Sequence, residues 1–132
     1  MSRIQFLRYW SVTVGTMDAV IGLLLIFVPG LVLDLLKIPL PSPEALDFLS
    51  WIGVFVLSVG LSYGLALGRR SRGETVWVFT AAVRLMVAFF LTCKIMTGSM
   101  LPAWALVGFV DGLVGCVQIA IVRGGWWKEA RK

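Results

Sequence analysis

The sequence predicts an all-α integral membrane protein: a four-helix bundle with both termini in the cytoplasm and a short interfacial helix after the first span. Apolar residues make up 59% of the 132 residues and charged residues only 14%, too few to cover a soluble domain of this size. Four apolar runs each reach the length of about 20 residues that crosses a bilayer. Despite the net charge of +5, the basic residues flank these runs and form no stripe, so we expect no nucleic-acid binding.

The four apolar runs form one predicted transmembrane domain over residues 1–132. The first run is longer than the apolar part of a cleaved signal peptide and continues into Val28, Pro29 and Gly30, so we interpret it as a retained span. The predicted spans lie at about 9–28, 48–67, 75–96 and 101–122.

The loop after the first span is the only long one, and it carries an amphipathic pattern. Leu31, Leu35 and Ile38 recur near helical spacing, with charged residues between them and prolines on both sides. This pattern is typical of a short helix in the plane of a membrane interface, which we place at about residues 31–38. An irregular apolar loop is the alternative interpretation.

Lysine and arginine residues are unequally divided between the two sides of the predicted bundle. They precede the first span, crowd residues 69–72 and follow the fourth span, whereas the first loop has only Lys37 and the third only Lys94 at its edge. The positive-inside rule therefore places both termini and the second loop in the cytoplasm. The six tryptophans fall at predicted span ends, where indole rings favour the membrane interface.

Three ionisable residues, Asp18, Arg84 and Asp111, lie about ten residues inside their predicted spans. At about 1.5 Å per residue each is about 15 Å deep, half of a hydrocarbon core about 30 Å thick. A charged side chain at that depth costs about 2.5 to 3.5 kcal/mol. Because an arginine fork can bind two carboxylates, we predict an intramembrane cluster of Asp18, Arg84 and Asp111. The cluster is either a clasp that fixes helix register or a site for a proton, an ion or a ligand.

Small residues line one face of each predicted span. In lipid they let helix backbones approach closely, because packing and not the hydrophobic effect drives helix association there. The predicted helix-packing glycines are Gly15, Gly22, Gly60, Gly64, Gly68, Gly108, Gly112 and Gly115. The skeleton VGxxDxxxG occurs around both Asp18 and Asp111. We interpret the repeat as convergence, because a duplicated two-helix unit would match the first span with the third.

The sequence offers little for catalysis or metal binding. It contains no histidine, which is the usual axial ligand of membrane haems and the commonest general base. The two cysteines, Cys93 and Cys116, are too few for a thiolate cluster, and we interpret them as small core residues. We expect no cofactor, no metal site and no catalytic residue. A single carboxylate can perform acid–base chemistry, so enzymatic activity stays open, although the pattern favours a protein that is not an enzyme.

Four stretches carry a resemblance to a known group: FVPGLVLDLLKIPLP, IGVFVLSVGLSYGLALGRR, AAVRLMVAF and MLPAWALVGFVDGL. Through them the chain resembles the DoxX-like group of small bacterial four-helix membrane proteins over most of residues 20–122. The resemblance implies a multi-pass protein of the bacterial inner membrane. Some members are linked to quinone-dependent redox systems, so it also permits a quinone-related role. Arg84 and Asp111 look like the recurring third-span arginine and fourth-span aspartate of the group, and no catalytic residue is carried over.

Two functions follow as hypotheses. The first is a non-enzymatic accessory, anchoring or assembly subunit of a larger membrane complex, because the loops are too short for a catalytic domain and glycine faces suit helix association. Its partners would be the lipid bilayer and other membrane subunits or further copies of the chain. The alternative is binding or transport of a quinone, a lipid or a small solute at the cluster of Asp18, Arg84 and Asp111.

Overall fold

The computed structural model describes residues 1–68 and 70–129. Side chains are described for all of these except residues 70, 71 and 129. All regular structure within these ranges is helical, and four of the helices are long and apolar enough to cross a membrane. The chain divides into two compact units, Met1–Gly68 and Arg69–Lys132. The single domain over residues 1–132 and the cytoplasmic position of the termini stay predictions.

The first unit begins with helix α1, Arg3–Phe27, which starts at a capping box. The Ser2 hydroxyl accepts a hydrogen bond from the backbone N–H of Gln5 at 3.2 Å, and Oε1 of Gln5 accepts one from the backbone N–H of Ser2 at 2.9 Å. These bonds satisfy N–H groups that have no partner within the helix. The helix ends shortly before Pro29, because a proline disfavours the helical conformation of the residue before it.

Helix α2, Pro29–Leu35, lies in the loop for which an interfacial helix was predicted at 31–38. Pro29 starts it, since a first-turn proline loses no helical hydrogen bond. Lys37 closes it in the left-handed region with φ 56°, and the backbone N–H of Ile38 donates to the carbonyl of Leu33 at 2.9 Å. This is the hydrogen bond of a Schellman-type helix end, and both apolar partners are buried. The helix therefore begins and ends slightly earlier than the predicted segment.

Helix α3, Pro43–Gly68, returns antiparallel to α1. It also begins with a proline, and the Ser42 hydroxyl accepts a hydrogen bond from the backbone N–H of Ala45 at 3.4 Å. Glu44 in the first turn carries a negative charge where the helix dipole is positive. Local sequence thus fixes the point at which the chain re-enters a long helix.

Glycines bring α1 and α3 into backbone contact. A Cβ added at Gly22 would lie 2.5 Å from the backbone nitrogen of Leu57, and a Cβ at Gly60 would lie 2.5 Å from the backbone nitrogen of Ala19. Real Cβ atoms do not approach backbone atoms this closely, so a side chain at either position would push the helices apart. Further tight contacts of this kind occur at Gly15 and Gly53.

The spacing of these glycines explains the long contact. Gly15 and Gly22 are seven residues apart on α1, and Gly53 and Gly60 are seven residues apart on α3. Seven residues make about two helical turns, so each pair lies on one stripe of its helix. Two such stripes facing each other keep the backbones close over several turns.

The second unit is also a helical hairpin. Its elements are α4, Arg70–Met96, a 3₁₀ turn, Pro102–Trp104, α5, Ala105–Arg123, and the short α6, Trp126–Glu129. Gly98 with φ 73° and Gly125 with φ 74° supply the left-handed residues that follow α4 and α5. The long helices α4 and α5 pack antiparallel.

Large apolar side chains remain exposed along all four long helices. Examples are Tyr9, Phe55, Phe89 and Phe109, each with at least 60% of its surface exposed. A soluble protein seldom leaves so many large apolar side chains in water, whereas lipid chains can cover them without cost. The exposed faces therefore agree with the length and hydropathy of the four helices.

The glycine contact of the first unit can be tested with a matched pair of substitutions. We expect Gly60→Ala to lower the free energy of unfolding in detergent by about 1 to 3 kcal/mol, because its Cβ would overlap the backbone of α1. The control is Gly64→Ala on the same helix, where an added Cβ meets no described atom within 4 Å. We expect the free energy of unfolding of this variant to equal or slightly exceed that of the parent. Equal effects of the two substitutions would contradict the packing described for α1 and α3.

Candidate functional site

An ion pair joins the two long helices of the second unit. Nη1 of Arg84 on α4 donates to Oδ1 of Asp111 on α5 at 2.5 Å. The side chain of Arg84 is 4% exposed and that of Asp111 is 19% exposed. Charge-assisted bonds of this kind are short and strong, and at low dielectric the two charges stabilise each other. The structure thus brings together two of the three residues of the predicted cluster.

A second polar contact lies on the same face of the hairpin. Nε2 of Gln118 donates to the hydroxyl of Thr80 at 3.1 Å and to the carbonyl of Trp77 at 3.3 Å. All three residues are fully buried. The hydroxyl of Thr80 in turn donates to the carbonyl of Val76 at 2.8 Å, within its own helix. A buried amide and a buried hydroxyl are therefore satisfied by each other and by the backbone.

The ion pair and the amide contact are separated by the same number of residues on both helices. Asp111 and Gln118 are seven residues apart on α5, and Arg84 and Trp77 are seven residues apart on α4. On antiparallel helices, a step of two turns forward on one matches a step of two turns back on the other. The ion pair and the amide contact therefore belong to one polar stripe, which we call the polar seam: Trp77, Thr80, Arg84, Asp111 and Gln118.

Small residues accompany the polar seam. A Cβ at Gly115 would lie 3.0 Å from Cγ of Leu85, a tight contact, whereas a Cβ at Gly112 would lie 3.5 Å from that of Ala88. At Gly108 the nearest atom is Cβ of Leu91, also at 3.5 Å, an ordinary van der Waals distance. The three predicted glycines of α5 thus all face α4, but only one of them is closely confined.

The remaining predicted residues belong to the first unit. Asp18 is buried, with 6% of its surface exposed, and its Cβ lies next to Gly60 on α3. Its inclusion in a cluster with Arg84 and Asp111 stays a prediction. Of the predicted glycines in this unit, Gly15, Gly22 and Gly60 contact the facing helix closely, whereas a Cβ at Gly64 or Gly68 would meet no described atom within 4 Å.

A contact at the end of the second unit, where α6 meets α4, was not predicted from the sequence. The ring of Trp127 fills the space that a side chain at Gly73 would occupy. It also packs edge-on against Trp77, with ring centroids 5.5 Å apart and an interplanar angle of 78°. For Trp127 the sequence predicted only a place at the membrane interface, as for the other tryptophans, and it predicted no contact for Gly73.

Two sequence expectations concern cysteines and metals. Cys93 and Cys116 are both exposed, so the interpretation of them as core residues was wrong. In lipid the surroundings of a helix are as apolar as its packed face, so a small apolar residue gains nothing by facing inward. Within the described residues, no three carboxylate, cysteine or histidine side chains are grouped as metal ligands.

Comparison of the chain with protein-family models, with curated proteins and with solved structures finds no match. The resemblance to the DoxX-like group therefore stays a prediction. What the site can do follows from its own chemistry. The polar seam can hold α4 and α5 in one register, and its carboxylate can carry a negative charge or a proton beside an arginine.

Substitution of the ion pair separates a structural role from a binding role. We expect Arg84→Gln and Asp111→Asn each to lower the free energy of unfolding in detergent by about 3 kcal/mol, because each removes one side of a charge-assisted contact between α4 and α5 in a poorly hydrated place. The double variant should lose less than the sum of the two single effects. Asp34→Asn, which removes an exposed carboxylate on α2, serves as the control and should leave stability unchanged. Single variants as stable as the parent would rule out the clasp.

Proposed function

We propose that this chain is a multi-pass protein of the bacterial cytoplasmic membrane that acts as a non-enzymatic accessory, anchoring or assembly subunit of a larger membrane complex. Four helices of sufficient length and apolarity support the multi-pass part of the proposal. The distribution of basic residues supports cytoplasmic termini and a cytoplasmic loop at residues 69–72. The resemblance to the DoxX-like group supports the bacterial membrane.

The observation that carries the proposal is that the polar residues of the second unit bind each other across the interface between α4 and α5. Arg84 and Asp111 bind each other, and Gln118 binds Thr80 across the same interface. Each of these contacts links α4 to α5, as expected of polar groups that stabilise helix association. An active site instead needs groups directed at a space where a substrate can lie.

The outer surfaces of the helices agree with an accessory role. The exposed apolar side chains leave long surfaces that either lipid or the helices of another subunit can cover. The described helices expose much apolar surface and the loops between them are short, so the chain offers extended surface for association with other helices. The partner is therefore expected to be another membrane-embedded protein or a second copy of the chain.

A second candidate function rests on one further observation. Asp111 keeps 19% of its side chain exposed, although its partner Arg84 is almost fully buried. A carboxylate at the edge of a buried ion pair is a reasonable site for a proton or for a polar group of a quinone, a lipid or a small solute. Under this alternative, Asp111→Asn would fold normally and lose binding of that ligand.

The proposed topology predicts which loops can be labelled from outside the cell. In a background with Cys93→Ala and Cys116→Ala, a single cysteine at exposed Ser42 or Ser99 should react with a membrane-impermeant maleimide on intact spheroplasts. A cysteine at exposed Lys128 should react only after the membrane is permeabilised. The reverse pattern would overturn the orientation, and labelling of all three positions on intact cells would overturn the predicted bundle.

The subunit role predicts a stable partner. Solubilised from its native membrane in a mild detergent, the tagged chain should migrate above the mass of a single 14.5 kDa protein in its micelle and should retain a membrane protein at a fixed ratio. Cross-linking in the intact membrane before solubilisation controls for association in detergent. A chain that runs as a monomer and retains no protein after cross-linking would contradict the proposal.

A further inference from the structure

The two ends of the hairpin in the second unit differ strongly in charge. In the sequence, residues 69–74 and 123–132 contain seven basic residues and two acidic ones, and the described part of these segments includes the start of α4 and the end of α5. Because α4 and α5 are antiparallel, the start of one and the end of the other lie at the same end of the hairpin. Arg72, Arg123 and Lys128 are exposed there.

The aromatic ring of Trp127 packs the short helix α6 against this end. The chain turns after α5 at Gly125, whose φ of 74° is open to glycine without strain. The backbone N–H of Lys128 then donates to the carbonyl of Gly125 at 2.9 Å. Trp127 is 4% exposed, and its ring occupies the place that a side chain at Gly73 would take.

This anchoring decides where the neighbouring charges lie. Trp127 directs its ring into the hairpin, while the next residue, Lys128, remains exposed. Arg123, in the last turn of α5, is also exposed. A four-residue helix is too short to be stable by itself, so the position of Lys128 depends on packing contacts of α6 such as that of Trp127.

We propose that this end of the second unit is a binding surface for the headgroups of anionic phospholipids, with Arg72, Arg123 and Lys128 as its cationic groups and Trp127 as the residue that holds α6 in place. The proposal rests on the membrane location proposed above. Arginine and lysine bind phosphate oxygens, and tryptophans favour the depth at which lipid headgroups begin. Charge complementarity therefore favours an anionic lipid over a zwitterionic one.

Lipid titration of the purified chain tests this surface. Mixed micelles containing phosphatidylglycerol or phosphatidylcholine are added to the protein, and native mass spectrometry counts the lipids retained. The parent should bind phosphatidylglycerol more tightly than phosphatidylcholine. Each basic side chain near an anionic surface contributes about fivefold in affinity, so Arg123→Gln with Lys128→Gln should reduce that preference by roughly 25-fold.

Three further variants separate a fixed surface from general charge attraction. Lys37→Gln with Lys94→Gln removes the same charge from exposed residues elsewhere and should leave the preference unchanged. Trp127→Ala and Gly73→Ala keep every charge but release α6, so both should lower the preference. A loss in the lysine control equal to that in the Arg123 and Lys128 variant would overturn the proposal. So would an unchanged preference when Arg123 and Lys128 are both replaced.

The result is independent of the subunit role, because it is measured on the isolated chain. Failure to find a protein partner would leave a lipid preference intact. Conversely, loss of the lipid preference would leave co-purification with a partner unaffected.

Discussion

For four helices in the bilayer proposed above, association without a hydrophobic driving force is the constraint on which the rest of this structure depends. In hydrocarbon, an apolar side chain gains little by moving from lipid to a neighbouring helix, so close packing and polar contacts must hold helices together. The two units meet this requirement differently. In the first, Gly22 and Gly60 let the backbones of α1 and α3 touch. In the second, an ion pair and a buried amide link α4 to α5.

The two solutions restrict movement in different ways. A glycine contact is short-ranged and works wherever two small surfaces meet, so it sets the distance between helices more firmly than their register. The polar seam is directional. If α5 slid by one turn along α4, Asp111 would leave Arg84 and Gln118 would leave Thr80 at the same time, so both polar contacts between the helices would be lost together. The register of the second hairpin is therefore fixed by polar groups that lie two turns apart.

Composition and spacing predicted the helices, because a 20-residue apolar run leaves few other structures for the chain in a bilayer. Counting residues along the spans also predicted that Arg84 meets Asp111, since charges at one depth need each other. The contact of Gln118 with Thr80 could not be predicted in the same way, because it depends on the rotation of two helices about their axes. The position of Trp127 on Gly73 was hidden for a related reason: 54 residues separate them in the sequence, and neither carries a charge that reveals its partner.

The repeated skeleton VGxxDxxxG shows how far a local pattern determines packing. Both glycines that flank Asp18 are in tight contact with the facing helix. A Cβ added at Gly15 would lie 2.9 Å from Cβ of Tyr63, and a Cβ added at Gly22 would lie closer still to Leu57. Around Asp111 the first glycine has its nearest neighbour at 3.5 Å, and only Gly115 is confined, at 3.0 Å. The same sequence pattern thus occurs in a closely packed helix pair and in a more widely spaced one. The arginine–aspartate pair and the glutamine side chain need room between α4 and α5. Glycine permits close approach, but the side chains of the facing helix decide whether it occurs.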